Sequence, residues 1–410
     1  QLRADATAQG DGGTVTLWST ERTAFAGGLS ARGGEHGGHG GFAEISSQKD
    51  IALTGGERLD APRGKSGTLL IDPTDLRITD SAAGGSQDGN ATDTSVAAGD
   101  ADQGSGATLN TVSRGLLESL SGTANIVLQA TGQITVDAMA GGRIDLATQA
   151  GHGFTLQSTQ TGGIRFADPG TEIRTQGGAI TLEAKGPGSS LSPIGRLSSN
   201  GGAITLLATG DIALAGAIDA GGGALRVNSS AGSIANAAGA TPLLRGGSVT
   251  LAAPGGQVGA AGSAMHTATS NLTLSTGGHL VVSSSDALAS LSITAGHLMP
   301  NDANLYQVSA PGLSFQVTDG ASVAVERISQ APGLNLSFGA DRSLQLGTVD
   351  VGSGSLTLRS TAGNLLGAAD TALTAASLTL AAQGSNGNNG AIGTSGQALI
   401  TATGHLEASA

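Results

Sequence analysis

The seven residues Gln176–Leu182, QGGAITL, return almost unchanged as Asn200–Leu206, NGGAITL. Looser versions stand at Gly222–Val227 (GGALRV), Gly246–Leu251 (GGSVTL) and Gly12–Leu17 (GGTVTL). Each is a glycine pair, a small residue and then aliphatic–polar–aliphatic, which reads as a turn feeding a half-buried strand. Marking each unit by its inward aliphatic gives Ile180, Ile204, Leu225, Val249, Leu272, Leu291, Leu313, Leu334, Leu356, Leu378 and Leu399. Their steps run from 19 to 24 residues, with a mean of about 22. A second series, Ile134, Ile212, Leu280, Leu344 and Leu406, follows about ten residues behind in several units.

Few architectures accept a period in the low twenties. Leucine-rich repeats share the length but need an L-x-x-L-x-L-x-x-N pattern that is missing, and propeller blades need ~40 residues. A parallel β-solenoid remains, with one repeat per coil. Strands of successive coils would stack ~4.8 Å apart, and about sixteen coils would span roughly 75–80 Å. Inward Ile, Val and Leu would line up as ladders, with Thr, Ser, Ala, Asn and Gln outside. In QGGAITL, Ile180 and Leu182 are thus expected inside and Thr181 outside. The composition agrees: 69 of 410 residues are Gly and only eight are aromatic, too few for a thick globular core but enough for a thin repeated one.

Along the chain, Gln1–Asp80 reads as three longer coils starting near Val15, Phe42 and Leu69, with a glycine loop at Arg32–Gly41. Ser81–Asn110 is rich in Gly, Ser, Asp and Ala and reads as a long loop. Ser113–Leu120, SRGLLESL, predicts a short helix with Leu116, Leu117 and Leu120 on one face and Ser113 as its cap. NIVLQATGQITVDA then gives two strands joined by a glycine turn, and strands continue to the end. The expectation is one continuous β-solenoid over residues 1–410, interrupted at 81–124 by a loop and helix outside the stack.

The charge balance, 19 basic against 31 acidic residues and −12 net, contains no basic run longer than two, so nucleic acid is not an expected partner. No apolar run approaches the ~18 residues of a membrane span, so no membrane insertion is expected. Cysteine is absent, which suits a chain that crosses an envelope unfolded. With neither Met nor a signal peptide at Gln1, the chain reads as a processed or excised piece.

The N-terminal third resembles the large exoproteins of bacterial two-partner secretion, the filamentous haemagglutinin-like adhesins. The residues carrying this are GGTVTLWSTERTAFAGGLSARGGEHGGHGGFAEISS, then APRGKSGTLLIDPTDLRIT, then VSRGLLESL followed by ANIVLQATGQITVD. The specific motifs cover roughly Gly12–Ala138; beyond them the likeness is general repeat character. The resemblance implies a right-handed parallel β-helix, exported through an outer-membrane transporter and displayed on a Gram-negative bacterium as an adhesin, a stalk or an arm. The N-P-N-G-type secretion domain of such proteins and a recognisable C-terminal toxin are not found in these residues, so the sequence reads as an interior shaft segment or a processed mature piece.

Several residues are candidates for chemistry. His36 and His39, with Glu35, are two imidazoles three apart, but no third ligand is evident, and the simpler reading is a solvated glycine loop. Asp72, Asp75 and Asp80 resemble the acid clusters of β-helix glycosidases; Asp72-Pro73 reads equally as a strand end. Asp88, Asp93, Asp100 and Asp102 lack the spacing of a calcium loop. Asn386–Gly390, NGNNG, is a turn tip. Trp18 is expected to pack with Phe25 in the first coils. No Ser-His-Asp arrangement can be assembled.

The sequence therefore predicts no catalytic, cofactor or metal site and no enzyme. It predicts a secreted or surface-displayed adhesive shaft whose binding partner is a surface receptor or glycan. A self-assembling filament subunit, associating end to end or laterally, and a β-helix carbohydrate-active enzyme are the alternatives. The enzyme would require acids and aromatics on one face of adjacent coils. Function is expected where the repeat is interrupted, at Arg32–Gly41 and Ser81–Leu120.

Overall fold

The computed structural model describes residues 1–48, 50–80, 95–101, 108–120, 122, 124–296, 305–311, 313–318, 323–328, 333–384 and 389–410. The fold is a right-handed parallel β-helix, with two compact units, Gln1–Ala224 and Leu225–Ala410.

In the first unit one face is a stack of parallel strands: Thr14–Ser19, Phe42–Ser47, Thr68–Asp72, Asn125–Ala130, Gly153–Ser158, Ala179–Ala184 and Ile204–Ala208. Register places Val15, Ala43, Leu69, Ile126, Phe154, Ile180 and Ile204 in one inward column. Leu17, Ile45, Ile71, Leu128, Leu156, Leu182 and Leu206 form a second. From Ala43 and Ile45 onward both columns are buried. Each buried aliphatic contributes ~1.5–3 kcal/mol before entropy, and no rung is covered without its neighbours. The first inward column runs through Ala43, so Phe42, expected as a strand start of the core, faces outward with Thr14 and Thr68.

The strand Thr68–Asp72 pairs directly with Asn125–Ala130, so the chain between them leaves this face. Its described strands and helix stay within the fold. Within the range read as a loop, Ser95–Ala101 is a strand running antiparallel to both Asp50–Arg58 and Thr108–Ser113. Thr108–Ser113 in turn pairs in parallel with Leu76–Thr79. The excursion thus adds two rungs to a neighbouring face. It ends in the helix Arg114–Leu120, where the Ser113 hydroxyl accepts the Leu116 N–H at 3.1 Å and Leu116, Leu117 and Leu120 are buried, the capped apolar face read from the sequence.

In the second unit the inward column is Val249, Leu272, Leu291, Leu336, Leu356 and Leu378, with Leu406, 50% exposed, in register on the last rung. Ile180, Ile204, Leu225, Val249, Leu272, Leu291, Leu356 and Leu378 are buried as expected. Three of the expected ladder residues are corrected. Leu313 is buried as expected, but it begins the strand Leu313–Thr318, which runs antiparallel to Leu305–Ala310 and to Val323–Ile328. Leu334 is buried just ahead of the strand Asn335–Ala340, and Leu336 is the residue paired with Leu291. Leu399 lies outside any strand, and Leu406 occupies the rung beside Leu378. The physical reason is common to the first two. An antiparallel hairpin has the same period of two as a parallel coil, so counting aliphatics passes through it without a break. The hairpin is anchored by Phe315, whose ring lies 5.4 Å from that of Phe338.

Candidate outward binding face

Outward residues of the first unit also stack in columns. One runs Thr16, Glu44, Leu70, Val127, Thr155, Thr181, Thr205. Two residues along each strand, Trp18, Ser46 and Asp72 follow one another, and Gln129, Gln157, Glu183 and Leu207 do likewise on later rungs. Neighbouring rungs ~4.8 Å apart let short polar side chains bond along the column. The Gln129 amide donates to Asp72 Oδ2 at 2.7 Å and the Gln157 amide donates to Glu183 Oε2 at 2.6 Å; within one strand, the Ser46 hydroxyl donates to Glu44 Oε1 at 2.9 Å.

Trp18 stands at the head of this column and is 57% exposed, so the expected packing against Phe25 is corrected. Val15 and Leu17 take the inward positions, and the alternation of a strand leaves Trp18 outside. Phe42 is half-buried on the same face. Glu44 and Asp72 lie on adjacent rungs two positions apart, which separates their backbones by about 8 Å. Burial pushes the Asp72 carboxyl above its ordinary range; the Gln129 hydrogen bond opposes this and the Glu44 charge adds to it. The face therefore joins an exposed indole to fixed carboxylate and amide groups, a surface that can stack a ring and hydrogen-bond the hydroxyls around it.

The other candidate residues are placed separately. Arg32–Gly41 is the middle layer of a stacked corner rather than a free loop. Gly34 N–H bonds Gly10 O, Gly33 N–H bonds Asp60 O, and Gly40 N–H bonds Lys65 O, at 2.8–3.1 Å. Such close layers exclude side chains: a Cβ on Gly40 would lie 1.9 Å from Leu59 O. His39 Nδ1 accepts the Lys65 N–H at 3.0 Å, and Glu35 and His36 are exposed. Arg32 forms a two-pronged pair with Asp60 at 2.8–3.1 Å, which raises the guanidinium pKa. On the layer before, the Asp5 carboxyl is held below its ordinary range. Burial works against this, and the Ser30 hydroxyl and the Arg32 N–H outweigh it.

The three acids read as a cluster go to three places. Asp72 is on the outward face. Asp75 links two coils by accepting the Gln133 N–H at 2.7 Å, and Asp80 pairs with Arg114 of the helix at 2.9 Å. Asp88, Asp93 and Asp102 lie outside the described residues, as does the side chain of Asp100. So does most of Asn386–Gly390, of which Asn389 bridges to Gln383. Among the described residues no group of three or more His, Asp or Glu converges as a metal site, and no helix is long and apolar enough to cross a membrane.

In the second unit the outward column Ser275, Thr294, Gly339, Arg359 borders a groove of 480 Å³ that also takes in Ser337, Thr357 and Thr361. Neither this groove nor the exposed Trp18 was singled out from the sequence. The alternation around Trp18 held the second signal; the first depends on register between strands distant in the chain. No protein-family model matches the chain, and no curated protein matches it.

Proposed function

We propose that this chain is a shaft segment of a secreted, surface-displayed bacterial exoprotein that adheres to other surfaces through the outward faces of its coils. The observation that carries the reading is Trp18, a large ring left in solvent at the head of a column of hydrogen-bonded carboxylates and amides. Exposed aromatics set among polar groups are what binding surfaces concentrate. The resemblance of Gly12–Ala138 to the two-partner secretion adhesins supports export through an outer-membrane transporter, and the absence of cysteine is compatible with it. The receptor is a glycan or a protein at the contacted surface, and the thin, repeated core serves to hold the outward columns at fixed spacing.

The test uses beads coated with the purified chain and allowed to settle on cultured epithelial cells. Wild type is expected to adhere, and Trp18→Ala to lower adhesion about tenfold or more with an unchanged melting curve. Equal adhesion of the two proteins contradicts the reading.

A further inference from the structure

The strand Asn335–Ala340 is paired on both edges, to Ser290–Ala295 and to Ser355–Ser360. Its outward position between Thr294 and Arg359 is Gly339. A glycine inside a strand weakens it, by roughly 0.5–1 kcal/mol relative to alanine in the general case. At most glycines of this fold the reason is visible. A Cβ on Gly354 would lie 1.8 Å from Leu334 O, and one on Gly363 would lie 2.3 Å from Ser343 N. Gly339 has no such reason. Its φ is outside the left-handed range, and an added Cβ would meet nothing nearer than Arg359 O at 3.9 Å and Arg359 Cβ at 4.0 Å. The fold would accept a side chain there. What the glycine leaves is a notch, one side chain deep, in the wall of the 480 Å³ groove. A close approach of a ligand to the backbone is one of the uses of a glycine inside a strand, and here the glycine opens onto a groove.

The groove's chemistry restricts that molecule. Ser275, Thr294, Ser337 and Thr357 offer hydroxyls that both donate and accept, and the Thr361 hydroxyl, which donates to Ala340 O at 3.3 Å, can still accept. Arg359 projects beside the notch, is exposed, and makes no ion pair or hydrogen bond among the described residues. One carboxylate, Asp341, also lines the groove, and it is paired with the adjacent Arg342 at 3.6 Å. A ring of hydroxyl acceptors and donors around one free guanidinium matches a sugar that carries a carboxylate, since guanidinium binds carboxylate through two parallel bonds. An acidic peptide fits less well, because both edges of the strand are taken and the face offers no backbone for a peptide to pair with. The net charge of −12 works against long polyanions and favours a short acidic saccharide.

We propose that the groove beside Gly339 and Arg359 binds a carboxylate-bearing saccharide, the carboxylate on Arg359 and the ring over Gly339. This goes beyond the adhesive reading: it concerns the second unit, and it is tested on the purified chain without cells, so either reading can fail alone. Binding of a galacturonate tetramer, a hyaluronan tetrasaccharide and sialyllactose is measured by calorimetry. Methyl-esterified galacturonate, lactose and a tetraglutamate peptide serve as controls. At least one acidic saccharide is expected to bind, with its uncharged counterpart and the peptide about tenfold weaker or worse. Arg359→Gln is expected to weaken it about tenfold. Gly339→Val fills the notch and should abolish binding while melting at or above the wild-type temperature, because valine suits a strand. Failure of all three saccharides to bind overturns the proposal, as does preference for the peptide or full binding by a folded Gly339→Val protein.

Discussion

Ile204→Asp is expected to destabilise the first unit by about 4 kcal/mol or more, while Thr205→Asp, one residue away, changes stability by less than about 1 kcal/mol. Ile204 is 0% exposed and stacks directly on Ile180. Aspartate there removes an aliphatic from a closed column and places a carboxylate where neither water nor a cation reaches it. Thr205 is paired with Thr181 on the outward side of the same two strands and is only half-buried. Its substitution costs little more than the difference in strand preference. Urea melts of the two variants beside the wild type read the difference directly; equal shifts would mean that inside and outside have been exchanged. Because coils are stabilised by their neighbours, the loss in Ile204→Asp should appear as a broadened or early transition as well as a lower midpoint.

The second large effect concerns backbone contact between coils. Gly186 is buried in the turn that follows Ala179–Ala184, and a Cβ on it would lie 1.0 Å from Gln160 O. No rotamer relieves that overlap, so the stacked turns must separate. Gly186→Ala is expected to destabilise by about 3 kcal/mol or more. Gly222→Ala is the control: its Cβ would meet nothing within 4 Å and its φ is not in the left-handed range. That variant should be neutral or slightly stabilising, through the reduced freedom of the unfolded chain. A thermal melt in which both variants behave alike would contradict the close layering of the turns.

These effects show where the sequence was informative. The alternation in QGGAITL and the recurrence of its glycine pair specified parallel coils, because a period of two with a turn every twenty-odd residues has few other solutions. The helix was legible from Ser113 and three leucines. The two antiparallel additions were not. Ser95–Ala101 is built mostly from small residues that also suit a loop, and Leu313–Thr318 carries the same alternation as a coil strand, so only pairing distinguishes them. Trp18 was legible in principle. Val15 and Leu17 place it outside by alternation, and the scarcity of aromatics drew the reading toward burial instead. The carboxylate–amide bond between Asp72 and Gln129 spans the whole excursion, 57 residues, a separation that local pattern does not encode. Gly339 looks like any other glycine until its Cβ is placed among its neighbours.

An engineered disulfide measures in-register parallel stacking with alternate residues outward most directly. The chain has no cysteine of its own. Thr181 and Thr205 are outward partners on adjacent rungs, within the Cα separation of about 4.4–6.8 Å that a disulfide spans. Thr181 and Leu207 are two residues out of register, about 8 Å apart. Under mild oxidation the Thr181→Cys/Thr205→Cys protein should close its disulfide essentially completely, and the Thr181→Cys/Leu207→Cys protein should remain reduced, as read by intact mass and thiol titration. Closure of the second pair in preference to the first would contradict the stacking from which the outward columns are built.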